Sequence, residues 1–403
     1  MRLRATCGWL LFAATASVAA APTPEQQWLR AAEQFEQGRL TEAQQSLETL
    51  LRQEPDFRLA RWLYGDLLAA RSGRKVQRPV GTSPCAVIAN CLTANEQEAV
   101  KVSIADLADE ARLRLEAWRK PPPAGYVPDL LLQLGATAKH VAVVDLGAAR
   151  LHVLESKGGR WHPVRSHFVG IGRKGFGKQA QGDLRTPVGI YRITGFTPDA
   201  ELPELYGAGS LPLNYPNSWD RRQKRTGSGI WLHGVPRTTY VRAPRSSEGC
   251  VTLANAELLS LRPLLTAGRT PVVLSEKVNW VAPAALEAAR KEFLAQLEGW
   301  RAAWSSKNTA RYLAYYAGDF VSEDGMSRAQ FAAFKQRVNA GKKFIKVGVS
   351  EIEAYRYPGA PGLVMTRFKQ DYRSDNLAKS SHKEQFWRRG DDGRWAIVSE
   401  ETL

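Results

Sequence analysis

The hydrophobic period of this 403-residue chain changes along its length, and these changes constrain the fold more than any other feature. Across residues 22–120 apolar side chains recur at helical spacing. Pro121-Pro122-Pro123 breaks that pattern, so residues 121–138 are predicted to be a linker. β-branched residues then alternate with polar ones over 139–277, which indicates a mostly-β domain. Residues 283–403 place helices before strand-like runs, so the chain is predicted to be a multidomain protein ending in an α+β domain.

Small residues at helix-crossing positions mark the helical region. The run Phe35-x-x-Gly38-x-Leu40-x-x-Ala43 is followed by apolar residues up to Leu51 and by Pro55. This spacing resembles a tetratricopeptide repeat (TPR), and a plain helical hairpin is the alternative because the pattern is short for such an array. Either structure predicts packing or contact with envelope proteins rather than chemistry.

Residues 1–21 resemble a secretory signal peptide. Arg2 and Arg4 precede an apolar run from Gly8 to Ala21 that ends in small residues. Cleavage would export the protein to the periplasm or cell envelope, and an uncleaved anchor is the alternative. No other segment is apolar and long enough to cross a bilayer, so no stable membrane span is expected.

Charge and cysteine content fit an exported protein. The net charge of +16 falls to +14 without the two arginines of the predicted signal peptide, which favours anionic envelope polymers as partners. No nucleic-acid motif is present, so no nucleic acid is expected. Cys85 and Cys91 are close enough to form a local disulfide in an oxidising compartment, and buried reduced thiols are the alternative. Cys250 would then be unpaired. No zinc-ligand spacing occurs, and neither a metal nor another cofactor is predicted.

The segment around Cys250 has the composition of a nucleophile site. His233-Gly234 closes an apolar run, and Cys250 follows seventeen residues later in Ser247-Glu248-Gly249-Cys250. A thiol needs a nearby base to become a thiolate, and a glycine beside it allows a sharp turn. His233 and Cys250 are therefore predicted to be a catalytic base and nucleophile.

These residues resemble the signature of the L,D-transpeptidase (YkuD-type) catalytic domain. The upstream run Thr186-Pro187-Val188-Gly189-Ile190-Tyr191 is similar to that family's Thr-Pro-x-Gly-x-Phe/Tyr segment. The tail, with Trp300-x-x-x-Trp304 and Tyr315-Tyr316-x-x-Asp319-Phe320, resembles the fold of nuclear transport factor 2 (NTF2), which can bind a ligand or form a homodimer. Together the three regions resemble exported proteins that remodel peptidoglycan, such as the L,D-carboxypeptidases of helical bacteria.

The resemblance implies a substrate and residue roles. The substrate would be the peptidoglycan stem peptide, cleaved between a diamino acid and D-alanine. The backbone carbonyl of Gly234 would orient His233, and the N–H groups of Gly249 and Cys250 would bind the oxyanion. Ser247 occupies the family's Ser/Thr position and would bind substrate or shape the turn.

Seven basic residues and no acid lie between Arg221 and Ser247. Such a segment could attract the carboxylates of a stem peptide, with Arg242 and Arg245 as the candidates nearest the thiol. A solvated basic loop is the alternative. The chain has Thr252 and Glu248 where the family more often has arginine and a basic residue, so Glu248 is expected to face solvent or an arginine.

The predicted reaction is transfer of the acyl group from a Cys250 thioester to an amine. Water as the acceptor would make the protein an L,D-carboxypeptidase. A catalytically silent envelope scaffold is the alternative from another class.

Overall fold

A computed structural model describes residues 21–73, 94–135, 138–158 and 160–403, with the backbone alone for 94–103. Nearly all of the predicted signal peptide and the proposed Cys85–Cys91 disulfide lie outside these residues. The chain divides into two compact units, of which the smaller comprises the residues up to Pro55 together with Ala60–Gln77. The larger comprises Asp56–Leu59 and Arg78–Leu403.

The first part of the chain is helical. Its helices are α1 (Pro24–Glu36), α2 (Leu40–Gln53), α3 (Arg58–Arg71) and α4 (Ala94–Arg119). Helix α1 begins at a capping box between Thr23 and Gln26, and Gly38 adopts the positive φ that the turn into α2 requires. The helical prediction is confirmed, whereas the assignment to a TPR stays a prediction.

The predicted linker contains two strands, so that part of the prediction is wrong. Strand β1 (Val127–Pro128) pairs with a strand near residue 280, and β2 (Leu131–Gln133) pairs with a long strand near residue 354. The proline run ends at Pro123, and Leu131 and Leu132 beyond it are apolar and buried. Burial of these leucines favours a sheet edge over a solvated linker.

The β-rich region contains two larger sheets and short helices. Its strands are β3 (His140–Asp145), β4 (Arg150–Lys157), β5 (Arg160–Phe168), β6 (Ile171–Gly172), β7 (Gly189–Arg192), β8 (Thr197–Pro198), β9 (Gly209–Pro212), β10 (Trp231–His233), β11 (Arg245–Ser247), β12 (Val251–Thr252), β13 (Pro271–Ser275) and β14 (Trp280–Val281). The helices are α5 (Ser218–Arg222) and α6 (Asn255–Leu261). One sheet has the order β5-β4-β3-β13-β7 and the other β12-β10-β9-β8. Val144, Leu151, Leu232, Val251 and Leu258 share one apolar core, which fixes the position of β10 and β12.

The C-terminal region wraps helices over one mostly antiparallel sheet, in which β15 and β19 form the parallel pair. Its helices are α7 (Pro283–Ser305), α8 (Thr309–Leu313) and α9 (Arg328–Ala340), and its strands are β15 (Tyr316–Ser322), β16 (Ile345–Arg356), β17 (Leu363–Ser374), β18 (Ala378–Arg389) and β19 (Trp395–Thr402). The sheet order is β15-β19-β18-β17-β16-β2. Trp300, Tyr312, Phe368 and Trp387 form the centre of its core. This is the predicted α+β arrangement.

The β-rich and C-terminal regions are joined by apolar and polar contacts. Val141, Ile190, Tyr355 and Phe386 belong to one buried cluster. Arg192 pairs with Glu353 across this joint. None of the helices in the described parts of the chain has the length and apolar character needed to cross a membrane.

Candidate active site

Two adjacent parallel strands bring the predicted base and nucleophile together. Strand β10 pairs with β12 so that Leu232 lies opposite Val251 and His233 opposite Thr252. Cys250 comes directly before β12, so by this register it lies opposite Trp231, on the same face as His233 and diagonally across from it. The order of strands in this sheet, rather than closeness in sequence, therefore creates the pair.

His233 is buried and held in one orientation. Its Nδ1 lies 2.7 Å from the carbonyl oxygen of Gly234, and the Tyr206 ring meets the imidazole edge-on with 4.9 Å between centroids. When Nδ1 donates its proton to this carbonyl, Nε2 carries the lone pair that a base needs. Burial lowers the pKa of His233 to about 4, with Arg242 acting in the same direction and the Gly234 bond opposing it. The imidazole is therefore neutral at pH 7.

Asn255, the first residue of α6, packs closely against Gly234. The side-chain oxygen of Asn255 accepts hydrogen bonds from the N–H groups of Ala208 (2.9 Å) and Val235 (3.0 Å). A Cβ atom at position 234 would lie 2.2 Å from that oxygen. Only glycine therefore fits where the orienting carbonyl is placed.

The Cys250 thiol is protonated at rest. Its sulfur lies 3.3 Å from the carbonyl oxygen of Gly229, which accepts the S–H proton. Burial raises the pKa of Cys250, although the Trp231 N–H and the charge of Arg242 oppose this effect. A neutral thiol thus faces a neutral imidazole, and proton transfer must accompany attack on the substrate.

The turn before Cys250 depends on Ser247 and Gly249. Ser247 Oγ donates to the Cys250 carbonyl (2.6 Å) and accepts from the Gly249 N–H (3.1 Å). Gly249 has φ +133°, and a Cβ there would lie 2.8 Å from the Arg185 carbonyl oxygen. Ser247 therefore shapes the turn.

The two predicted oxyanion donors differ in the resting site. The Gly249 N–H donates to Ser247 Oγ, so its role as an oxyanion donor stays a prediction. Within the described ranges the Cys250 N–H makes no hydrogen bond. The Cys250 N–H is the donor that the resting site leaves available to a developing oxyanion.

The basic segment is not the open cationic wall that its sequence predicts. Arg242 is half-buried, donates to the Ser246 carbonyl (2.8 Å) and acts electrostatically on both His233 and Cys250. Arg245 is exposed on β11. Four other arginines pair with acids that lie outside the segment: Arg221 with Glu401, Arg222 with Asp319, Arg225 with Asp220 and Arg237 with Asp199.

The two departures from the family pattern have structural explanations. Glu248 forms an exposed ion pair with Arg173 at 2.7 Å, as expected for a carboxylate that turns away from the thiol. Thr252 is fully buried, and a Cβ at Gly170 would lie 2.5 Å from its Oγ1. A longer side chain would have no room at position 252.

A loop that the sequence does not single out lies beside the thiol. Lys178 is 4% exposed, its ammonium group donates to Asp183 at 2.8 Å, and its charge acts to lower the pKa of Cys250. Burial would raise the pKa of Asp183, but hydrogen bonds from Lys178 and three backbone N–H groups outweigh it and lower that pKa to about 2. No Lys-Asp spacing rule would have identified this pair.

Two family models match parts of the chain. Residues 139–274 match the model of the L,D-transpeptidase catalytic domain (YkuD), and residues 292–401 match that of the Cds6 C-terminal NTF2-like domain. No curated protein sequence matches the chain.

Two solved structures resemble most of the chain. Bd1075 of Bdellovibrio bacteriovorus is 27% identical with a TM-score of 0.61, covering 69% of this chain and 98% of that one. Pgp2, described as the helical cell shape determining protein of Campylobacter jejuni, is 25% identical with a TM-score of 0.56, covering 68% of this chain and 96% of that one.

The chain therefore contains a domain that matches the L,D-transpeptidase (YkuD) catalytic domain, followed by a domain that matches the Cds6 C-terminal NTF2-like domain. In this chain a helical N-terminal region precedes a β-rich YkuD-type catalytic domain and a C-terminal NTF2-like domain, which confirms the predicted fold class.

Proposed function

We propose that this protein is an L,D-transpeptidase that cleaves the diamino acid–D-alanine bond of a peptidoglycan tetrapeptide stem through a thioester on Cys250. The observation that carries the proposal is the diagonal placement of Cys250 and His233 across two paired strands. His233 has its Nδ1 fixed by Gly234, which leaves Nε2 available as the base.

The steps balance on the chain's own groups. The Cys250 S–H proton passes to His233 Nε2 as the sulfur attacks the carbonyl carbon of the diamino acid. The Cys250 N–H donates to the resulting oxyanion. Collapse of this intermediate breaks the C–N bond, and the D-alanine amine leaves with the proton from His233. An amine of a second stem then attacks the thioester and regenerates the thiol.

Arg242 is proposed to bind a stem carboxylate, because it is the half-buried arginine that acts on both catalytic groups. The predicted signal peptide would place this reaction in the periplasm or cell envelope. The helical region is proposed to contact envelope proteins.

Water is the second candidate acceptor. The likeness to Pgp2, which is described as determining helical cell shape, motivates it. Trimming a stem to a tripeptide removes the bond that an L,D-transpeptidase must cleave, so trimming would control where cross-links form.

A product assay separates these outcomes. Purified protein is incubated with tetrapeptide muropeptides, and products are identified by mass. Cross-linked dimers are expected for transfer to an amine, and tripeptides would indicate transfer to water. Cys250→Ala should abolish both, and Arg237→Ala is the control for an exposed residue of the same segment. Absence of both products from the unaltered protein would contradict the enzymatic function.

A further inference from the structure

The backbone of residues 225–231 supplies two of the groups that contact the thiol. The Gly229 carbonyl accepts the Cys250 S–H proton, and the Trp231 N–H donates to the sulfur. The first bond stabilises the thiol and the second the thiolate. Small displacements of this segment, which we call the thiol-contact segment, would therefore change both the protonation and the direction of the nucleophile.

A buried carboxylate anchors the start of this segment. Asp220 is fully buried, and its Oδ1 accepts a hydrogen bond from Arg225 Nη1 at 2.9 Å. Its backbone carbonyl accepts from the Arg225 N–H, also at 2.9 Å. Its Oδ2 accepts from the Tyr191 hydroxyl at 3.0 Å. Arg225 is thus held at its backbone and its side chain, directly before the thiol-contact segment continues toward Gly229.

The same carboxylate is linked to the NTF2-like domain. Asn217 and Asp220 cap helix α5 reciprocally, with bonds of 2.8 and 3.1 Å. The Asn217 amide donates to the Ile190 carbonyl and to the hydroxyl of Tyr357, each at 2.9 Å. Tyr357 directly follows β16 of the C-terminal sheet and is buried. A continuous path of hydrogen bonds therefore runs from Tyr357 through Asn217 and Asp220 to Arg225.

We propose that Tyr357 and Asp220 are positioning residues through which the NTF2-like domain holds the thiol-contact segment against Cys250. Neither residue touches the reacting atoms. Their effect on turnover rests on the proposed function, whereas their effect on the thiol itself does not. A buried network acts in this way because breaking one link leaves unsatisfied groups that shift to find partners.

The test compares two neighbouring tyrosines. Tyr357→Phe removes the hydroxyl that Asn217 reaches, and Tyr355→Phe removes an equally buried hydroxyl that bonds to Glu353 instead. Iodoacetamide alkylation of Cys250 is followed across pH by the mass of its peptide, which separates it from the other cysteines. Thermal unfolding of each variant is recorded alongside. The charged groups that act on the thiol, Arg242, Glu248 and Lys178, are unchanged in both variants.

Tyr357→Phe should loosen the packing of the thiol-contact segment against the Cys250 sulfur, so that water reaches the sulfur. Because burial is the main cause that raises the pKa of Cys250, the alkylation midpoint should fall, and the rate at neutral pH should rise about threefold. Tetrapeptide turnover should fall by about the same factor. Tyr355→Phe should leave both quantities unchanged.

Asp220→Asn should cause larger changes in the alkylation midpoint and in turnover, because the carboxylate that binds Arg225 loses its charge. The tyrosine pair decides the proposal even if Asp220→Asn does not fold. A Tyr357→Phe profile identical to that of the unaltered protein would overturn the proposal, as would equal shifts in both tyrosine variants. Altered alkylation without turnover in any form would contradict only the proposed function.

Discussion

The two sides of the Cys250 thiol are built differently. On one side Asp220 is fully buried, and the side chains of Lys178 and Asp183 are 4% and 19% exposed. On the other side Arg173 and Glu248 form an ion pair whose side chains are 51% and 78% exposed. We call these the closed side and the open side. Removing one partner of a buried pair is costly, whereas an exposed pair contributes little.

The closed side fixes the geometry of the nucleophile, whereas the open side is suited to bind the substrate. The closed side holds the backbone that contacts the sulfur, and its charges are already satisfied within the protein. The open side has exposed charges beside Arg242, which is where a charged peptide could exchange water for protein contacts. We therefore expect closed-side substitutions to change the rate of the chemical step and open-side substitutions to change binding.

The largest effect is expected at His233. His233→Gln should lower kcat by about 10²-fold or more, because no base remains to take the thiol proton. In the unaltered protein kcat/KM should fall as the pH falls through about 4, since burial lowers the pKa of His233 to about 4 and protonation removes its lone pair. A pH series measures this limb. A midpoint near 6.5, the ordinary value for histidine, would contradict a buried base.

The next effect is expected on the closed side. Asp183→Asn should lower kcat about tenfold with little change in KM, because the loop beside the thiol loses its charge-assisted bonds. The pKa of Asp183 is lowered to about 2, so the stability that its carboxylate contributes is present above its ordinary pKa and is lost as the pH falls through about 2. Comparison of thermal unfolding at neutral and acidic pH checks this. Asp199→Asn, in an exposed ion pair with Arg237, is the control.

The smallest effect is expected on the open side. Arg242→Ala should raise KM about fivefold and change kcat by a smaller factor, because the arginine is proposed to bind a carboxylate equally well before and during reaction while its charge also acts on His233 and Cys250. Steady-state kinetics with tetrapeptide muropeptides measures it, with Arg237→Ala as the exposed control. A fall in kcat at constant KM would instead assign Arg242 to the closed side.

The sequence predicts the features of this site that depend on neighbouring residues better than those that depend on long-range contacts. His233, Gly234 and Cys250 could be found because the base and its orienting carbonyl are adjacent in the chain and the nucleophile has a glycine turn. The helices up to Arg71 followed from their apolar period. These features depend on local sequence alone.

Long-range pairing explains what was missed. Arg221 binds Glu401, which is 180 positions away. A segment without acids in its own sequence is therefore paired with acids from elsewhere in the fold. Tyr357 binds Asn217, which is 140 positions away in the sequence. Strand β2 of the predicted linker joins a sheet whose other strands begin at residue 316 or later. Neither the hydrophobic period nor a motif within one segment indicates which distant residue the segment will contact.

The central claim is that Cys250 forms a thioester with a stem peptide. Intact-protein mass spectrometry after rapid acid quenching of a mixture with tetrapeptide muropeptide tests it most directly. The account predicts an adduct with the mass of the stem less D-alanine, located on the Cys250 peptide and absent from Cys250→Ala. D-alanine release without an adduct on Cys250, and undiminished in Cys250→Ala, would contradict it.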